Sequence, residues 1–86
     1  MKIEFSDPAR EDFLKLDKQL QLFFKNHLNK LTEMPPRRHL KFGVPHHVED
    51  ITRQARLVYD IREDTLFVIH CFPTHKEYEK WYKSYK

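Results

Sequence analysis

The stretch Gln54-Ala55-Arg56-Leu57-Val58-Tyr59-Asp60-Ile61-Arg62-Glu63-Asp64-Thr65-Leu66-Phe67-Val68-Ile69-His70-Cys71-Phe72 decides the fold. Two runs rich in β-branched and aromatic residues, Gln54 to Ile61 and Leu66 to Phe72, flank the polar tetrad Arg62-Glu63-Asp64-Thr65. That is the pattern of an antiparallel hairpin. With the turn over residues 62–65, Ile61 opposes Leu66 and Arg56 opposes Cys71. Leu57, Tyr59, Leu66 and Val68 then share a wholly apolar face that helices must cover. Arg56, Val58, Ile69 and Cys71 share the other. Arg56 on that face is a permanently charged fork matched to a phosphate. An ordinary ion pair with Glu49 or Asp50 accounts for it equally well.

Upstream, Lys2-Ile-Glu-Phe-Ser6 alternates like a short strand, and Asp7-Pro8 reads as an N-cap followed by a proline at the first helical position. From Ala9 to Leu31 the residues Phe13, Leu16, Leu20, Phe24, Leu28 and Leu31 recur at three or four, an amphipathic helical pattern. It is long for one helix, so a break is expected near Asp17-Lys18. Pro35-Pro36 ends it. The segment from Arg37 to Asp50, holding Gly43 and Pro45, reads as strand or loop. Downstream, Thr74 and Glu77 have capping-box spacing, and a helix opening at His75 places His75, Tyr78, Trp81 or Tyr82, and Tyr85 on one face. The expected fold is a single α+β domain over residues 1–86. It has β-α-α-β-β-β order, an antiparallel sheet with its helices on one side, and a short C-terminal helix.

Composition narrows the function. The 86 residues are 40% hydrophobic and 34% charged, which fits one folded soluble domain. The single Cys71 excludes a disulfide framework and a multi-Cys zinc site. The lone Gly43 cannot build a P-loop or a dinucleotide cradle. No apolar run approaches the ~18 residues of a membrane span, and the first residues carry no signal-peptide core, so a cytoplasmic protein without a membrane role is expected. The net charge of +3 lies entirely in residues 1–43, which hold nine basic and six acidic side chains. A basic excess permits nucleic-acid binding without proving it.

His75 at a helix start sits where the dipole disfavours an imidazolium and favours an anion, which suits a neutral base near a phosphate. Tyr78 can donate to a phosphoryl oxygen or stack on a base; it can equally be a packing residue. His75 follows just beyond Cys71, the residue expected opposite Arg56, so Arg56, His75 and Tyr78 are expected in one neighbourhood. Arg37, Arg38 and Lys41, with Arg53 adding to their charge, form a basic set able to hold an RNA backbone or simply to face solvent. His46-His47 tempts as a metal pair, but adjacent strand residues point to opposite faces, and no metal site is expected. His70, alternating with Val68 and Phe72, reads as a satisfied, partly buried histidine.

Several of these stretches resemble the RelE/ParE superfamily of bacterial and archaeal type II toxins. Ile3-Glu-Phe-Ser-Asp-Pro-Ala9 followed by Asp12-Phe-Leu-Lys-Leu-Asp17 looks like its first strand and helix. Ile51-Thr-Arg-Gln-Ala-Arg-Leu-Val-Tyr59 looks like the strand bearing the family's catalytic arginine, and Pro73-Thr-His-Lys-Glu-Tyr-Glu79 like the Thr-His-x-x-Tyr stretch of HigB-like members. The resemblance implies a RelE-like fold, a metal-independent endoribonuclease acting on mRNA at the translating ribosome, no cofactor, and a small cognate antitoxin as partner. It implies Arg56 as the phosphate-stabilising group, His75 as the HigB-like histidine and Tyr78 as the C-terminal tyrosine. Lys41 falls where RelE-like members place functional lysines. YoeB-like members use a glutamate base where this chain reads Arg37-Arg38-His39-Leu40-Lys41, so the sequence departs from them there. Within the superfamily two other expectations stand: a ParE-like inhibitor of DNA gyrase, and an inactive member that only binds antitoxin.

Overall fold

The computed structural model describes residues 1–33 and 46–84. Its elements run β1 (Lys2–Phe5), α1 (Asp7–Lys15), α2 (Lys18–Glu33), β2 (His47–Asp50), β3 (Arg56–Arg62), β4 (Thr65–Phe72) and α3 (His75–Lys83). The sheet order is β1-β4-β3-β2. β2, β3 and β4 are antiparallel neighbours, whereas β1 lies parallel to β4, so the expected α+β fold is built on a mixed sheet and not on the wholly antiparallel one the sequence suggests. Pro35-Pro36, the basic stretch up to Lys41, Gly43 and Tyr85 lie outside the described residues.

The helix break falls where the periodicity places it. α1 closes with the Leu16 N–H donating to the Phe13 carbonyl at 3.1 Å, and the Asp17 carboxylate accepts from the Leu20 N–H at 2.8 Å to start α2. The cap of α1 is one residue earlier than expected: Ser6, not Asp7, accepts from the Ala9 N–H at 3.2 Å. Asp7 instead places its charge in the first turn, where the helix dipole favours it. Thr74 caps α3 as its spacing suggests, its hydroxyl oxygen accepting from the Glu77 N–H at 3.2 Å and its O–H lying 3.2 Å from the Glu77 carboxylate.

The helices do not all lie on one side, which corrects the sequence reading. α1 and α2 cover the face of Leu57, Tyr59, Leu66 and Val68 through Ala9, Leu16, Phe24 and Leu28. α3 covers the opposite face, packing Tyr78 and Tyr82 on Val48, Val58 and Phe72. The aromatic stripe of α3 is itself apolar and needs a second sheet face for burial.

The hairpin register also departs from the regular one. Ile61 pairs with Leu66 and Tyr59 with Val68 as expected, but the next pairs are Val58 with His70, Leu57 with Cys71 and Arg56 with Phe72. Ile69 is thus an extra residue, a β-bulge. Cys71 turns onto the Leu57 face, and Phe72 replaces it opposite Arg56. The bulge is anchored from the α1 side. The Ser6 hydroxyl donates to the Ile69 carbonyl at 3.0 Å, and the Asp12 carboxylate accepts from the Cys71 N–H at 3.1 Å. His70 Nδ1 lies 2.9 Å from the same Asp12 oxygen, so His70 is the satisfied histidine expected, although the bulge breaks its alternation with Val68.

Replacing Asp12 by alanine leaves the Cys71 amide without its acceptor. A loss of about 1–3 kcal/mol is expected, read as a lower urea midpoint at unchanged slope. A change within ~0.5 kcal/mol would show that Asp12 does not hold the bulge.

Candidate active site

Arg56 opens β3 directly across from Asp50, which closes β2. The five residues between them fold into a tight self-bonded loop. The Ile51 N–H donates to the Ala55 carbonyl at 3.0 Å, and the Thr52 hydroxyl oxygen accepts from the Gln54 and Ala55 N–H groups at 3.1 and 2.9 Å. This loop and strand end grip the guanidinium. Nε lies 3.1 Å from Asp50 Oδ1, and Nη1 donates to the carbonyls of Thr52 and Ala55, each at 3.0 Å. The fork is therefore fixed in orientation, with 12% of the side chain accessible, and its Nη2 edge is the part these contacts do not take. The ion pair with Asp50 is the bland reading of Arg56 realised, and it is compatible with a presented guanidinium.

α3 starts beside this loop. The His75 N–H donates to Gln54 Oε1 at 3.4 Å, joining the helix N-terminus to the Arg56 loop. The His75 ring packs edge-on against Tyr78 at 5.8 Å, and Tyr78 packs on Phe72 at 6.1 Å and on Tyr82 at 5.0 Å. Tyr78 is 1% exposed, and its buried hydroxyl has no hydrogen-bond partner among the described residues. Burial chiefly raises the phenol above its ordinary pKa. Tyr82 and Asp50 push the same way and Arg56 opposes them, which places Arg56 and Asp50 within the electrostatic reach of the Tyr78 ring system. Arg56, His75 and Tyr78 thus occupy one neighbourhood on the α3 face. Arg53 projects from the same loop and is exposed. Arg37, Arg38 and Lys41 lie outside the described residues.

Sequence reading offered Asp50 as a partner of Arg56 but missed three other supporting residues: Thr52, whose carbonyl holds Arg56, Gln54, which ties the loop to α3, and Glu79, whose Oε1 lies 3.2 Å from His75 Nδ1. Only Glu79 carries a local signal, its four-residue spacing from His75 on a helix. The His46-His47 pair is divided as strand alternation requires. His46 meets Asp60 at 2.9 Å and stacks on Trp81 of α3, whereas His47 stacks on Tyr59 in the other layer. Among the described residues no group of three or more His, Cys, Asp or Glu is placed to hold a metal ion.

The sequence matches no protein-family model, and no curated protein matches it. Solved structures do match. A YoeB/ParE toxin from Agrobacterium tumefaciens superposes with a TM-score of 0.70 at 18% identity, covering 84% of this chain and 96% of that one. A chain of the intact E. coli RelBE toxin–antitoxin complex gives 0.71 at 22% identity, covering 83% and 93%. A metal-bound toxin from Helicobacter pylori gives 0.64 at 27% identity, covering 90% and 97%. The fold is that of the RelE/ParE-superfamily toxins.

Two outcomes follow from burial. Removing the orphaned phenol oxygen by Tyr78→Phe is expected to leave stability unchanged or raise it by up to ~1 kcal/mol, measured by urea unfolding; a clear loss would reveal a partner for that oxygen. Burial and Asp12 push the Cys71 thiol up to about 12. The folded thiol then stays protonated where the unfolded one ionises, so its stabilising contribution is intact below pH 9 and is lost as the pH rises towards 12. Cys71 is expected to resist a thiol reagent at pH ~8 until urea unfolds the chain; rapid labelling of the native protein would contradict its burial.

Proposed function

We propose that the protein is the toxin of a type II toxin–antitoxin system and cleaves mRNA on the translating ribosome. The observation that carries the reading is the convergence of Arg56, His75 and Tyr78 on one sheet face, with the guanidinium fixed by Asp50 and two carbonyls. In the proposed reaction a base removes the proton from the 2′-hydroxyl of a bound nucleotide. The 2′-oxygen attacks the adjacent phosphorus, the phosphate gains negative charge, and the bond to the leaving 5′-oxygen breaks as that oxygen takes a proton. Arg56 faces the growing charge with a fork that needs no reorganisation. His75 supplies acid or base chemistry from its partly exposed position at the helix start. Tyr78 shapes the floor beside both. Exposed Arg53, together with Arg37, Arg38 and Lys41, binds the RNA backbone in this reading.

The partners are mRNA, the ribosome and a cognate antitoxin. Support for the last comes from the neighbours, which include the RelBE toxin–antitoxin complex and a YoeB–YefM toxin–antitoxin heterotetramer from Staphylococcus aureus. One observation favours a second reading. Three contacts already hold Arg56, and a family member without nuclease activity, binding antitoxin alone, would also keep such a structural arginine. Induction of the wild type separates the two, since a member without nuclease activity that binds antitoxin alone arrests nothing, and Arg56→Ala then tests the arginine. Losing a charge-stabilising group of this kind costs on the order of 10²–10³ in rate. The folded variant is therefore expected to abolish growth arrest on induction, together with the new 5′ ends inside translated reading frames that the wild type produces. A folded Arg56→Ala protein with full toxicity would exclude the nuclease role of Arg56, and DNA-damage signalling without mRNA cuts would favour gyrase inhibition.

A further inference from the structure

We propose that Glu79 is the positioning residue of His75, fixing which ring nitrogen faces the substrate, with Lys83 holding Glu79 in place; the proposal rests on the ribonuclease reading above. The three side chains follow one another at four-residue spacing along α3. Glu79 divides its carboxylate between its neighbours: Oε1 lies 3.2 Å from His75 Nδ1, and Oε2 lies 3.4 Å from Lys83 Nζ. Each oxygen has one partner, so the lysine end orients the carboxylate and the other end receives the imidazole.

A carboxylate against Nδ1 selects the tautomer that carries its proton there. In water the neutral ring otherwise favours the proton on Nε2. With the ring proton on Nδ1, on the side where Glu79 Oε1 lies 3.2 Å away, Nε2 holds the lone pair and becomes the nitrogen available to take or return a proton. The edge-on contact with Tyr78 at 5.8 Å and the backbone hydrogen bond from His75 to Gln54 limit the remaining freedom of the ring and of the helix start. The logic is that of any working histidine whose distal nitrogen is aimed by an acid behind it. An ordinary surface ion pair at this spacing stabilises a helix by a few tenths of a kcal/mol and would leave the ring's tautomer without consequence, so the two roles are separable.

The test measures the nitrogen-15 shifts of the neutral His75 ring in the intact chain, and in parallel the cleavage of mRNA on purified translating ribosomes, for wild type, Glu79→Ala and Lys83→Ala. Circular dichroism verifies the fold of each. Wild type is expected to carry the proton mainly on Nδ1. Glu79→Ala is expected to shift it to Nε2 and to lower kcat on the order of 10- to 100-fold, the range for partners that orient a working histidine, with KM for the mRNA unchanged. Lys83→Ala is expected to do the same more weakly. An unaltered tautomer ratio in Glu79→Ala overturns the proposal, as does a raised KM at constant kcat, which would make Glu79 a substrate-binding group. If wild type does not cleave, the ribonuclease reading fails, while the tautomer measurement still decides whether Glu79 sets the ring.

Discussion

One extra residue in β4, Ile69, governs what surrounds Arg56. Without the bulge the regular pairing would set Cys71 opposite Arg56 and send Phe72 into the other layer. With it, Phe72 stands beside Arg56 and becomes the surface on which Tyr78 rests. His70 is re-aimed by the same slip, and its ring stacks on Phe72 at 4.9 Å and meets Trp81 edge-on at 5.4 Å. The docking platform of α3 is therefore a product of the bulge. The bulge in turn depends on Ser6 and Asp12, residues of the N-terminal arm. Strand β1 and helix α1 thus help place a site to which they contribute no candidate catalytic side chain.

The second determinant is the loop between β2 and β3. A long flexible cation on a strand end would sample many orientations and lose entropy on binding an anion. Here the carbonyls of Thr52 and Ala55 and the carboxylate of Asp50 have already imposed one orientation. That is the preorganisation that makes a charged group effective against a transition state. The same neighbourhood carries a cost, because the Tyr78 hydroxyl is buried without a partner among the described residues. Such groups are uncommon in folded proteins and concentrate where function constrains packing.

Much of this was legible in the chain. The hairpin, the helix break at Asp17 and the Thr74 cap follow from spacing and periodicity, which are local; Arg56 is expected near His75 from a register that sets it opposite Cys71, and Phe72 stands there instead. What was not legible depends on distant contacts. Nothing near Ile69 announces a bulge, because the bonds that hold it reach back 63 positions to Ser6 and 59 to Asp12. The cap of α1 moved to Ser6 because its hydroxyl can bridge the Ala9 N–H and the Ile69 carbonyl at once, a pairing Asp7 cannot read from its own neighbours. The placement of α3 opposite α1 and α2 required knowing that both sheet faces are apolar over the stretch it covers. Toxin resemblance survived in short motifs while the matched structures share only 18–27% of residues with this chain, since a packing pattern tolerates many identities.

In the proposed reaction one phosphodiester is held jointly by the Arg56 guanidinium and the His75 imidazole. The direct measurement is a side-chain NMR titration of the intact protein with a short RNA that carries a 2′-deoxy nucleotide at the scissile position and so cannot be cut. The account predicts that the Arg56 Nε–H and the His75 ring signals move together and saturate at a single RNA concentration. Perturbations confined to other surfaces, with both signals stationary at saturation, would contradict it.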